Sequence, residues 1–177
     1  MDFSEVLRTR YSCKKYDPSR QLTADELDAI LQGGRLAPTA KNLQEQHIYV
    51  VQSAEGLAKI DRHTPCRYGA PTVLVVAYDK TNVYTYPTAA GPETDHRQSG
   101  TEDAAIVATH LMLSATNAGV DSCWLNCVHI DDLHADLGLP ANEEILMLLD
   151  LGHAAPDAAP FPTHFSRKEL SETVSYL

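Results

Sequence analysis

Five basic residues, Arg8, Arg10, Lys14, Lys15 and Arg20, fall within the thirteen-residue stretch RTRYSCKKYDPSR of a 177-residue chain whose net charge is -10. Cations gathered this closely, with the hydroxyl of Ser12 among them, have the chemistry of an anion clamp. The acidic remainder of the chain excludes large polyanions as main partners, because nucleic acid and anionic membranes need an extended positive field. The anion must therefore be small and held locally. A second basic patch, THFSRKEL, lies near the C-terminus and offers His164, Arg167 and Lys168. The competing reading gives Arg10, Lys14 and Lys15 to the C-terminus of a preceding helix, where each cation contributes about 0.3 to 1 kcal/mol.

Other residues with chemical potential give less. Cys13, Cys66, Cys123 and Cys127 are neither in CxxC spacing nor dense enough for a disulfide scaffold, and read as reduced thiols. Cys123, Cys127 and His129, with His63 and Cys66, raise the question of zinc. In SCWLNCVHI, read as extended chain, the first three share one face but spread over roughly 20 Å, too far to converge on one ion. No nucleophile elbow, Walker loop, GxGxxG or HExxH is present, so the common hydrolase, nucleotide-binding and zinc-protease signatures are missing.

The elements that must position these groups are readable from period and punctuation. Phe3, Val6 and Leu7 predict a short amphipathic helix ending near Arg10. Thr23 and Glu26 stand in capping-box spacing before Leu27, Ile30 and Leu31, and Pro38 ends that second helix. HIYVVQS and TVLVVAYD read as strands, uniformly apolar and hence central, with a helix between them capped by Ser53 and anchored by Leu57 and Ile60. Residues 81–100 read as a long aperiodic loop carrying Tyr84, Tyr86 and His96. A helix follows, with Ala104, Val107, Leu111, Ser114 and Ala118 on one stripe, Ile106 and Leu113 on another, and Gly119 as its stop; it should be central and buried. SCWLNCV and EILMLLDLGH read as strands around a short helix capped by Asp131 and ended by Gly138. The Pro-rich tail should wrap over a neighbouring surface. At 44% hydrophobic residues, the length suits a single domain over residues 1–177, an α/β or α+β sheet covered by helices. No apolar run is long enough to span a membrane and no signal peptide is seen, which predicts a soluble cytoplasmic protein.

Four segments, in order, resemble the successive signatures of the nitroreductase family: RYSCK, LAPTAKNLQEQHIYVV, GTEDAAIVATHLMLSATNAGVDSCWLNCV and LDLGHAAPDAAPFPTHFSRKELSETV. The resemblance covers nearly the whole chain. It implies an α+β fold with a central, mostly antiparallel sheet flanked by helices, and an intertwined homodimer holding two FMN molecules at its interface. By the same resemblance Arg10 and Tyr11 stand at the phosphate end of FMN, Ser12 on phosphate or ribityl oxygen, and Lys14 at the flavin N1/O2 edge. Pro38, Thr39 and Ala40 would touch the ring from the partner subunit, Asn42 and Gln44 would line the interface, and Thr39 replaces the usual serine. Leu125, Asn126 and Cys127 would face flavin N5 and O4, although many relatives have glycine where this chain has Cys127. Arg167, helped by His164, would complete the phosphate clamp, and His63 would hydrogen-bond the flavin pyrimidine. Where relatives often continue Gln-Pro-Trp, this chain has Gln44-Glu45-Gln46. The implied activity is transfer of hydride from NADH or NADPH through FMN to a small aromatic or electron-poor acceptor, such as a nitroaromatic, quinone or activated alkene, by a ping-pong mechanism. A flavin carrier or sensor with little nicotinamide-dependent turnover is the alternative.

Overall fold

Two apolar runs lie side by side in the middle of the sheet. In the computed structural model, which describes residues 1–89, 91–93 and 96–177 without the side chains of 87, 88, 91–93, 96 and 97, β2 (Thr72–Asp79) pairs antiparallel with β6 (Glu143–Gly152). The order is β1-β2-β6-β5, with β1 (Gln46–Val51) and β5 (Asp121–Leu125) on the outside and every pairing antiparallel. Both faces are covered. Ile30 of α2 (Ala24–Arg35) and Val107 and Leu111 of α4 (His96–Asn117) pack with Leu74, Val76, Met147 and Leu149 on one face. Ile60 of α3 (Ala54–His63) and Leu133 of α5 (Ile130–Leu137) pack with Val73, Val75 and Leu148 on the other. This is the α+β arrangement expected, with one correction: β1 is an edge strand. Its uniform apolarity reflects helices on both faces, Ile48 toward one and Tyr49 toward the other, rather than strands on both sides.

The caps explain where several helices begin. Thr23 accepts from the Glu26 N–H at 3.2 Å while Glu26 accepts from the Thr23 N–H at 2.8 Å, completing the box, and Ser53 caps α3 through the Gly56 N–H. Asp131 does not cap α5; it lies in the first turn, where its charge favours the positive helix end, and His129 occupies the cap. Gly138 ends that helix in the left-handed conformation, φ 68°. Helices α2 and α4 cross closely enough that a Cβ on Gly34 would stand 2.5 Å from Leu111 Cδ2.

Three other expectations need correction. The 81–100 segment is not all loop: β3 (Tyr86–Thr88) and β4 (Gly91–Glu93) form a hairpin with Pro87 opposite Pro92, and α4 already begins at His96. Three-residue strands with paired prolines carry no readable period. The side chain of His96 lies outside the described residues. Helix α4 buries Ala104, Val107, Ala108, Leu111 and Ala115, but Ile106 on the second stripe is exposed. Strand β5 ends at Leu125, leaving Asn126, Cys127 and His129 outside it. The tail contains only two short 3-10 turns, Pro162–Phe165 and Leu170–Glu172, and is largely exposed. No helix among the described residues is long and apolar enough to cross a membrane.

Candidate functional site

The basic stretch follows α1 (Phe3–Thr9) as an extended ribbon laid beside β5 and β6. The Cys13 N–H donates to Ser122 O at 2.9 Å, the Asp17 N–H to His153 O at 2.8 Å, and the Ala155 N–H to Lys15 O at 3.1 Å. Extended chain alternates its side chains. Cys13 is consequently buried, while Ser12 and Lys14 point outward on the side where Arg10 stands at the end of α1. Lys15 points elsewhere and pairs with Asp157, and Arg8 and Arg20 are exposed away from this face. The register thus sets Arg10 and Lys14 apart from the other three cations.

The C-terminal tail crosses this ribbon and closes the other wall of a groove of about 440 Å³. Arg10, Tyr11, Ser12 and Lys14 line one side, and Phe161, Thr163, His164 and Arg167 the other, over a floor of Cys123 and Trp124. Lys14 Nζ sits 4.5 Å from the Phe161 ring centroid and 5.8 Å from that of Tyr68, so two aromatic faces hold the ammonium. Arg167 donates from one nitrogen to His164 O and Ser166 O, at 2.5 and 2.6 Å, which fixes its guanidinium in the groove wall. The His164 ring stands edge-on to Tyr11, 6.4 Å between centroids. Among the described residues Arg10, Lys14 and Arg167 make no ion pair. The groove is therefore an uncompensated cationic site with aromatic walls.

Its uncharged groups stay uncharged. Burial, with Asp121 and Cys13 adding to it, pushes the Tyr11 phenol well above its ordinary range. The Cys123 thiol is pushed up to about 11 by burial first and Asp150 second. Cys13 is likewise raised by burial. These sulfurs are protonated at neutral pH and unsuited to nucleophilic chemistry. Trp124 has one face on the core and one on the groove, its indole N–H donating to Asn126 Oδ1 at 2.9 Å. Phe161 and Thr163 escaped the sequence reading because the Pro-rich tail gives no period that would place them.

The other expected residues form two further groups. Pro38, Thr39, Ala40, Asn42 and Gln44 make one tight loop after α2: Lys41, Asn42 and Gln44 take φ values of 50°, 57° and 54°. Non-glycine residues in that region are strained, at about 1 to 2 kcal/mol each. Two contacts hold them: the Gln44 N–H donates to Thr39 Oγ1 at 3.0 Å, so the hydroxyl retained at Thr39 is used, and the Ala40 N–H donates to Asp103 Oδ2 at 2.8 Å. This loop does not line the same groove within one protomer. Leu125 buries its side chain in the core, whereas Asn126 and Cys127 are exposed and Cys127 O accepts from Thr64 Oγ1 at 2.7 Å. The structure does not bring His63 to the groove. Its Nε2 lies 2.9 Å from Asp136, which also binds Arg62 at 2.6 Å, and this contact ties α3 to α5. A histidine at a helix C-terminus with a carboxylate in reach is held by local electrostatics.

The sequence profile of the Nitroreductase family matches residues 7–67 and 65–153. A crystal structure of a nitroreductase family protein from Clostridium difficile 630 is 34% identical and superposes with a TM-score of 0.85, covering 99% of this chain and 98% of the other. The enone reductase of CLA biosynthesis from Lactiplantibacillus plantarum is 23% identical over 208 residues, 99% of this chain and 94% of its own. A nitroreductase with bound FMN from Bacteroides fragilis shares the fold at 22% identity and a TM-score of 0.78, covering 100% and 99% of the two chains.

Proposed function

The chain belongs to the nitroreductase family, and we propose that it is an FMN-dependent oxidoreductase that carries reducing equivalents from NADH or NADPH to electron-poor acceptors in a ping-pong cycle. The observation that supports this most is the register of the N-terminal ribbon, which sets Arg10, Ser12 and Lys14 on one groove wall opposite Arg167. The donor set fits the cofactor: fixed cations without carboxylate partners suit a phosphate dianion, and a hydroxyl suits phosphate or polyol oxygen. FMN, when bound, supplies the two-electron carrier between a nicotinamide and an acceptor that occupy the same place in turn.

The protein's own part is binding, orientation and charge. Arg10 and Arg167, with His164 beside them, hold the phosphate end, while Tyr11 supports the His164 ring. Ser12 donates its hydroxyl to phosphate or ribityl oxygen. Lys14, held over the Phe161 ring in the groove wall, would supply a positive charge at the N1/O2 edge, where it would favour the electron-rich form of the ring. Pro38, Thr39, Ala40, Asn42 and Gln44 approach from the second copy in a homodimer, and the backbone at Leu125, Asn126 and Cys127 supplies polar groups to the reacting edge. The dimer is supported by the large apolar side chains left in solvent by one chain: Phe3, Leu36, Phe165 and Leu170 are each more than two-thirds exposed.

An absorbance spectrum of the purified protein tests the reading. Yellow protein, or colourless protein that gains flavin absorbance and thermal stability on addition of FMN, is expected; protein that gains neither overturns it. Sedimentation then measures whether the flavin-bound species has twice the mass of the chain.

A further inference from the structure

Glu45 follows directly on the strained loop, where relatives often have proline. It is 4% exposed, and neither of its carboxylate oxygens has a hydrogen-bond donor among the described residues. Its neighbour is Asp103 of α4, 6% exposed, whose Oδ2 accepts the Ala40 N–H at 2.8 Å. The backbone of Glu45 is itself fixed, its carbonyl accepting the Asp79 N–H at 2.9 Å. Among the described residues no cation reaches the two acids. Lys41 of the loop lies over the Tyr84 ring at 5.1 Å, Lys80 beyond β2 faces Glu144 at 3.8 Å, and Asp79 is occupied by Thr81. Asp103 is the only charged group that acts on Glu45 among the described residues.

Two buried carboxylates side by side cannot both stay ionised, so one keeps its proton. That proton can bridge the Glu45 and Asp103 carboxyls. We propose that Glu45 and Asp103 form a one-proton acid pair that positions the 38–44 loop, fastening both ends of the loop to the same side chain of α4. Asp103 holds residue 40 through a backbone N–H and residue 45 through the shared proton, and the left-handed residues at 41, 42 and 44 are confined between the two anchors. Loss of the proton sets charge against charge at the second anchor and releases the loop. Burial pushes the Glu45 carboxyl up to about 7, opposed by its own backbone N–H and reinforced by Asp103, so release falls in the neutral range. The acid is favoured in the folded state, so this contribution to stability is present at low pH and disappears as pH rises toward that value. Both residues act through the loop and are positioning residues. The link to flavin rests on the proposed function, in which this loop faces the FMN ring; the pair itself does not.

Glu45→Gln keeps the shape and supplies a fixed donor that does not titrate, and Asp103→Asn does the same from the other side. FMN affinity, by quenching of flavin fluorescence, is measured from pH 5.5 to 8.5 alongside thermal unfolding of flavin-free protein. For the wild type, affinity is expected to fall about tenfold across this range and the melting temperature to decline with it; at least one of the two variants is expected to be nearly flat in affinity and to decline less steeply than the wild type in melting temperature. If wild-type protein binds no FMN at any pH, the flavin reading fails, and the melting curves alone decide the pair. Wild-type, E45Q and D103N curves that run parallel in pH overturn the acid pair whatever FMN does.

Discussion

Replacing Asp150 with asparagine should stabilise this protein at neutral pH. Asp150 lies in β6, directly across from Cys123 of β5, is fully buried, and has no hydrogen-bond partner for either carboxyl oxygen among the described residues. The ring of Tyr16 packs over Gly152 on the same face, and its hydroxyl also lacks a partner. Burial pushes the Asp150 carboxyl from its ordinary 3.8 to about 9; Arg67 opposes this, and Cys66 and Asp61 add to it. The folded protein therefore keeps a proton that the unfolded chain has released. Stability is full below pH 3.8, falls by about 1.4 kcal/mol per pH unit above it, and levels off near pH 9. At pH 7, some three units into that range, the cost is about 4 kcal/mol. Asparagine removes it but adds a buried amide whose hydrogen bonds are incomplete, a penalty of about 1 to 3 kcal/mol. The net gain expected at pH 7 is about 1 to 3 kcal/mol, or roughly 2 to 12 °C in melting temperature for a chain of this size. Urea unfolding at pH 5, 6, 7 and 8, at one protein concentration, reads it directly. The advantage of the variant over wild type should grow with each unit. A difference that stays constant across the series would mean that Asp150 is ionised in the folded protein, and would refute the reasoning.

Lys14→Ala should slow anaerobic flavin reduction by about tenfold or more, because the fixed charge at the reacting edge is lost; Lys15→Ala, which removes only the contact with Asp157, should leave it unchanged, and equal effects in stopped flow would contradict the ribbon register. Arg10→Ala should weaken FMN by roughly 10- to 100-fold, the loss of one charge-assisted contact of about 1.5 to 3 kcal/mol, and leave riboflavin affinity unchanged. A parallel loss with both ligands in fluorescence titration would remove Arg10 from the phosphate end. Gly34→Ala places a methyl 2.5 Å from Leu111 Cδ2 and should cost about 1 to 3 kcal/mol, seen as a lower melting temperature by calorimetry. An unchanged melting temperature would mean that the α2–α4 crossing is looser than described.

The helices were legible because their signals are local. Thr23 and Glu26, or Ser53 and Gly56, lie within one turn of each other, and hydrogen bonds of that span follow from sequence alone. The place of β1 in the sheet was not legible, because the run HIYVV records what covers its faces and carries nothing about which strand pairs with its edges. The same division runs through the site. Arg10, Ser12 and Lys14 could be picked out by the resemblance of RYSCK to a family signature, and one extended ribbon sets them together. The opposite wall depends on where an irregular tail crosses 150 residues later, so Phe161 and Thr163 were invisible. The contact of His63 with Asp136 was not legible for a related reason: Asp136 belongs to another helix, and long-range side-chain contacts leave no period in the sequence.

How an acidic chain can maintain the proposed anion site depends on what lies under the groove as much as on the cations in its walls. Net charge acts over distances that salt screens within about 8 to 10 Å, so the carboxylates that make the chain acidic matter little if they stay that far from the clamp. A carboxylate in the floor would be different. Asp150 is the cross-strand neighbour of Cys123, which forms that floor, and an ionised group there would act through poorly screened protein on Lys14 and Arg10. Burial removes this problem twice, holding Asp150 as the neutral acid and Cys123 as the neutral thiol. The stability lost by burying Asp150 and the positive field of the groove thus have one cause, the exclusion of water from the β5–β6 layer beneath the N-terminal ribbon. The alternation that turns Lys14 toward the groove also turns Cys13 into that same dry layer, so one register builds the charged wall and the uncharged floor together.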